Sequence, residues 1–172
     1  SVMEFKSQCD YVIAEKIYND WPLLGDQSDG WPVRFWREFD MTNDRRLFNE
    51  AQIGFPLYEG KMFHQFEAHF AEPRFWIDEE WGRKRILERM REDDQGQAIG
   101  YQRARLVFRD IARSTDERTL IATAVPPYVF AGNTAIVEAE TQQDTMLFLL
   151  VVLNSFCEDY IIRHKISTHV NM

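Results

Sequence analysis

Glu59-Gly60-Lys61, with Asp40 or Asp44 upstream, makes an acid…Glu-x-Lys set. Magnesium-dependent nucleases use two carboxylates to hold the metal and a lysine near the attacking water. The pattern is common by chance. A helix opened by Pro56, with Tyr58, Met62 and Phe66 at i, i+4 and i+8, would also put Glu59 and Lys61 on different sides. Pro126-Pro127-Tyr128 has the Pro-Pro-aromatic part of the site that grips a flipped base's amino group. Val125 stands where that site needs a polar acceptor, and Phe130-Ala131-Gly132-Asn133 lacks a second glycine for a nucleoside cofactor. The triplet therefore reads as a strand terminator. His64 and His69, like His164 and His169, are five apart, which is wrong for one helical face, so no zinc ligand set forms. Ser155 and Cys157 have no elbow or partner for nucleophilic catalysis.

The arginines carry more. Arg103, Arg105, Arg109, Arg113 and Arg118 fall on two expected strands and their joining loop, with Ser114, Thr115 and Asp116 between the last two. The guanidinium fork suits bidentate contact with guanine edges and phosphates. From spacing alone, a solvated strand face paired with Asp110, Asp116 and Glu117 is the simpler reading.

The elements that must position these groups follow from periodicity. Residues 9–19 read as a short amphipathic helix, and Val33 to Phe39 as a half-buried strand with an irregularity at Trp36. Thr42-Asn43-Asp44 offers caps for a turn ending near Phe48. Glu79 to Arg91 is a charged helix with Trp81, Ile86, Leu87 and Met90 on one side, followed by a polar connection from Asp93 to Gly100. Arg105 to Ile111 and Leu120 to Val125 alternate as strands around the polar loop 112–119. Trp21-Pro22 and Trp31-Pro32 mark turns around Gly25 and Gly30, and Gly132-Asn133 marks another. Thr145 to Lys165 reads as the longest helix, apolar and buried through its first half.

These elements have to share one core. The 172 residues fit a single domain, with 45% hydrophobic and 28% charged residues placing the chain among globular proteins. The net charge of −8 argues against a non-specific nucleic-acid coat, since neutralising phosphates needs excess Lys and Arg. Residues 1–60 hold 6 basic and 11 acidic groups, 61–118 hold 12 and 12, and 119–172 hold 2 and 5. Only the middle third can offer an electropositive face. Cys9 and Cys157, far apart and without a CxxC, fit a reducing cytoplasm. No signal peptide is visible, and the longest apolar run, Met146 to Leu153, falls far short of the ~20 residues that span a bilayer, so no membrane partner is expected. The abrupt stop at Thr168-His169-Val170-Asn171-Met172 reads as a fragment of a longer polypeptide, with Ser1 a cloning scar.

Five blocks in order carry a resemblance. They are Asp40-Met41-Thr42-Asn43-Asp44…Leu47-Phe48; Pro56 to Phe66; Arg109-Asp110-Ile111-Ala112…Thr115 to Ala122; Gly132-Asn133; and Leu153-Asn154-Ser155-Phe156. Together they resemble the C-terminal target-recognition region of type II restriction-modification adenine-N6 methyltransferases, the TaqI-like specificity domain. Similar regions occur in the large methyltransferases of phage-exclusion systems. The resemblance runs from about residue 33 to the end, which divides the chain into a lead-in, 1–32, and a recognition domain, 33–172.

The resemblance implies a DNA-reading domain that follows a catalytic methyltransferase domain in the same polypeptide. Its parent would be a DNA adenine methyltransferase or a fused restriction enzyme. Catalysis and the methyl donor, S-adenosylmethionine, would belong to that upstream part, so the fragment itself would be no enzyme and would hold no cofactor. The expected fold is α+β, a mixed sheet with flanking helices and a long buried C-terminal helix. The expected DNA contacts are Arg109, Arg113, Thr115 and Arg118, then Lys61, His64 and Gln65. Two alternatives stay open: a nuclease built on Asp44, Glu59 and Lys61, and a protein-interaction domain using the acidic helix 79–94.

Overall fold

The computed structural model describes residues 3–21, 24, 33–139, 143–166 and 169–170. The turns expected at Trp21-Pro22 and Trp31-Pro32, and the chain's two ends, lie largely outside the described residues. In chain order the elements are α1 (Gln8–Asp20), β1 (Phe35–Trp36), β2 (Phe48–Asn49), β3 (Phe55–Tyr58), β4 (Phe75–Ile77), α2 (Glu79–Met90), β5 (Arg105–Arg109), β6 (Ala122–Val125), β7 (Phe130–Ala131), β8 (Ala135–Glu138), α3 (Gln143–Leu153) and α4 (Phe156–Lys165). The class is α+β.

Two four-stranded sheets organise the chain. The first, ordered β1-β8-β5-β6, is antiparallel throughout; the second, β2-β4-β3-β7, is mixed because β3 and β7 run parallel. Period-2 alternation buries both faces of β5. Leu106 and Phe108 pack beneath Met146, Leu149, Leu150 and Leu153 of α3. Val107, on the opposite face, meets Tyr58, Met62 and Phe63 between the sheets. The second sheet sends Leu57, Ile77 and Phe130 to its other side against Ile86 and Leu87 of α2. Gly82 of α2 is required by this contact, because a Cβ there would come within 2.4 Å of the Phe130 ring.

Helix starts follow from their caps. Ser7 and Asp10 form a reciprocal capping box at α1, and the Asp78 carboxylate accepts from Glu80 N and Trp81 N at α2.

Three expectations need correction. Pro56 to Phe66 is not a helix: it is β3 followed by a short 3₁₀ turn over Gly60–Met62. Pairing with β7 begins only at Leu57, so the missing Pro56 N–H costs no bond on that side. Thr145 to Lys165 is two helices bent by 65°. Ser155 ends the first and caps the second, its Oγ accepting from Glu158 N at 3.2 Å. The first of these is buried on one face only: Leu147, Phe148 and Val151 are exposed. Trp81, expected on the apolar side of α2, is exposed as well. No single helix among the described residues is long and apolar enough to cross a membrane.

Candidate nucleic-acid interface

Arg109 closes β5, and its guanidinium reaches back across the inter-sheet layer. Nε donates to Gly60 O at 2.7 Å and Nη2 to Phe63 O at 2.8 Å. Gly60 N donates in turn to Thr134 Oγ1 at 3.0 Å. A Cβ at Gly60 would lie 2.6 Å from Thr134 O and 2.9 Å from Arg109 Cγ, so only glycine permits this approach. Burial pushes the Arg109 pKa down, partly opposed by Asp116. Arg109 forms no ion pair with a carboxylate among the described residues.

Arg118 holds the other side of the same segment. Its Nη2 donates to Asn154 O at 2.7 Å and Ser155 O at 3.1 Å, and its guanidinium lies over the Phe156 ring at 4.7 Å. With its amide oxygen turned toward Arg118, Gln65 accepts from Nε and Nη2 at 3.1 Å each. Arg109 and Arg118 thus clamp residues 60–65 against the β5-β6 unit, and both guanidinium groups are committed to that task. The expected solvated strand face does not exist either, since Arg105 is fully buried against Glu38.

The loop between β5 and β6 is built from its ends inward. Arg113 N donates to Asp116 Oδ2 and Asp116 N to Arg113 O, closing a turn. Buried Asp159 of α4 accepts from Thr119 N at 2.7 Å and Leu120 N at 2.8 Å. Arg163, held by Asp159 at 2.9 Å, donates to Ser114 O at 2.7 Å and Glu117 O at 2.6 Å. The loop backbone is therefore fixed before any ligand arrives. Arg113 and Thr115 are exposed on it, and their side chains make no hydrogen bond among the described residues.

Of the remaining candidates, Lys61 is 65% exposed with Nζ 3.3 Å from Glu59 Oε2. His64 is half-buried, its ring 5.2 Å from that of Phe70. The structure thus ties Arg109 and Arg118 to the segment that carries Lys61, His64 and Gln65, with Arg113 and Thr115 on the loop between those two arginines. Of these, Arg113, Thr115 and Lys61 are the ones whose side chains remain available.

Sequence reading missed the supports. Glu38, Asp159 and Arg163 were not singled out, although Asp159 and Arg163 stand four apart on a helix, a readable pairing. Glu38 stands beside Arg37 between Trp36 and Phe39, and nothing in that local pattern marks it for burial.

The nuclease set does not assemble. Asp44 is buried, and its carboxylate takes Arg85 Nε at 2.7 Å, Arg89 Nη2 at 3.0 Å and Asp40 N at 2.8 Å. Two guanidinium groups around a carboxylate make the opposite of a cation site. Asp40 caps its own turn, accepting from Thr42 N and Asn43 N, which holds its pKa down. His69, His164 and His169 have separate partners in Tyr58, Glu4 and Asp110.

Comparison with protein-family models and with curated proteins finds no match. Among solved structures, the HsdS subunit from Thermoanaerobacter tengcongensis is similar over 94% of this chain and 38% of that one, at 12% identity and a TM-score of 0.40. The chain thus spans less than two fifths of that protein's length.

Proposed function

We propose that residues 33–172 are a DNA target-recognition domain from a restriction-modification adenine-N6 methyltransferase, and that residues 1–32 lead into it. The parent polypeptide would bind S-adenosylmethionine and transfer its methyl group in an upstream catalytic domain, in the cytoplasm. This chain would choose the site on duplex DNA.

The observation that carries the reading is spatial. The five blocks that resemble the specificity domain, scattered from Asp40 to Phe156, meet at one junction. Gly132 N donates to Tyr58 O at 2.8 Å, and Met41 Sδ would lie 2.8 Å from a Cβ at Gly132. Arg109 ties the third block to the second. Asn154 of the fifth brackets Ala122 of the third, accepting from its N–H at 3.2 Å and donating to its C=O at 2.9 Å. Sequence likeness concentrated on one physical joint is what a shared scaffold for a variable loop requires. That joint presents Arg113 and Thr115, a guanidinium fork and a hydroxyl able to read base edges.

Enrichment of duplexes from a random pool by the chain tests the reading. One short motif is expected to emerge, and the longer polypeptide should deposit N6-methyladenine within the same motif in cellular DNA. Retention without any sequence preference, or methylation elsewhere, would overturn it.

A further inference from the structure

His64-Gln65-Phe66-Glu67 is a tight turn, closed by His64 N to Glu67 O at 2.8 Å and Glu67 N to His64 O at 3.0 Å. Phe66 occupies its third position with φ of +59°. That position ordinarily takes glycine or asparagine, because a Cβ crowds the backbone at positive φ. Burial does not offset the strain: Phe66 is 62% exposed, and its ring meets no other ring among the described residues. The turn is nevertheless held firmly. Phe66 N donates to Ala122 O at 3.3 Å, the carbonyl that also receives Asn154 Nδ2. A strained backbone that displays an aromatic ring to water is a reason to look for what the ring touches.

Its surroundings narrow the answer. Phe70 is 61% exposed and braced by the His64 ring, and Phe156 is 84% exposed under the Arg118 guanidinium. Lys61 lies on the same segment. Aromatic faces interleaved with cations fit unstacked nucleobases flanked by phosphates. A protein partner covering the same rings would have to desolvate Lys61, whereas a phosphodiester backbone neutralises it.

We propose that Phe66 is a wedge that inserts between adjacent base pairs of duplex DNA while Phe70 and Phe156 give the neighbouring aromatic surface. The inference rests on the DNA-recognition reading above. With its backbone fixed by the turn, the ring enters a base step at the cost of its side-chain freedom alone. Pyrimidine–purine steps, the easiest to unstack, are the expected place of entry.

Phe66→Gly and Phe66→Trp in the 172-residue chain test this, using duplexes enriched from a random pool with 2-aminopurine at successive adenines. Phe66→Gly relieves the backbone strain, so it should match or exceed the original chain in urea resistance. It should nonetheless bind DNA about five- to a hundred-fold more weakly, as loss of one stacked aromatic does. The original chain and Phe66→Trp should raise 2-aminopurine fluorescence at one step, and Phe66→Gly should not. Equal affinity and equal fluorescence for Phe66→Gly would overturn the wedge and leave the DNA reading standing. A change of oligomeric state with unchanged DNA binding would assign the ring to a protein contact and also overturn it. No retention of any duplex by the original chain would remove the DNA reading and the wedge together.

Discussion

The two ends of β5 carry the same residue type on the same face and treat it in opposite ways. Arg105, at the start, is 1% exposed and meets the Glu38 carboxylate, which is itself fully buried; Arg105 Nη2 also donates to Val129 O at 2.6 Å. Arg109, four residues on, meets only the carbonyl oxygens of Gly60 and Phe63. The first end cancels its charge inside the protein. The second keeps its charge and uses dipoles to hold it still. One strand therefore runs from a neutral, closed core to an end where carbonyls hold the guanidinium and Asp116 supplies the opposing charge, and the exposed loop with Arg113 is attached to that second end.

The contrast is broken most severely from the closed end. Glu38→Ala leaves a buried guanidinium without a carboxylate and should cost about 3–5 kcal/mol in urea unfolding. Adding Arg105→Met should recover most of the loss, since replacing both partners removes the stranded charge. A cost no larger than that of a surface substitution, within about 0.5 kcal/mol, would mean that the pair is not closed at all. At the open end, Arg109→Met keeps the stem but removes two hydrogen bonds from buried carbonyls, which should cost about 1–3 kcal/mol. The loss should be local, with faster amide exchange at residues 60–67 and little change in α2. Uniform acceleration across the chain would show that Arg109 supports the whole core rather than one segment.

Arg113→Ala probes the loop itself. Stability should stay within about 0.5 kcal/mol, while discrimination at one base position should fall by about 1–3 kcal/mol. Binding measured across single-base site variants at fixed salt reads this directly. An equal loss on every variant would make Arg113 a backbone contact. The smallest effect is expected far from the interface. Arg83 beside Asp94 holds its carboxyl down to about 2 from 3.8. A depressed carboxyl stabilises the fold above its unfolded pKa, and that contribution is lost as pH falls from 3.8 toward 2. Asp94→Asn should therefore lower stability slightly at pH 7 and converge with the original chain as pH falls toward 2, which flattens the acid limb in that window. An unchanged acid limb would show the pair idle.

The β5-loop-β6 unit was legible because alternation of apolar and charged residues is a local property. So were α1, α2 and the turn at Gly132-Asn133. What local pattern could not give was the destination of the arginine side chains. Arg109 and Arg118 find carbonyls far away in sequence, and nothing in residue type separates a guanidinium that clamps backbone from one that reads DNA. The Tyr58, Met62, Phe66 spacing misled for a similar reason. Tyr58 and Met62 share a core through a strand and a 3₁₀ turn, and Phe66 is not buried at all. The helix break at Asn154-Ser155 was hidden inside a continuous helical period, because the side chain of Asn154 is drawn off to β6, where α3 lies against the sheet.

That same asparagine has a consequence for solubility. β6 is the outermost strand of its sheet, and Ala122 turns its N–H and C=O away from β5, whose pairing there uses Ile121 O as the acceptor for Arg109 N. Left open, these groups would form a template onto which another chain could add a strand. The Asn154 amide, one acceptor and one donor in the geometry of a peptide group, occupies both. The fold thus closes this edge at Ala122 with the Asn154 amide posing as the next strand and the Phe66 N–H sharing the same carbonyl.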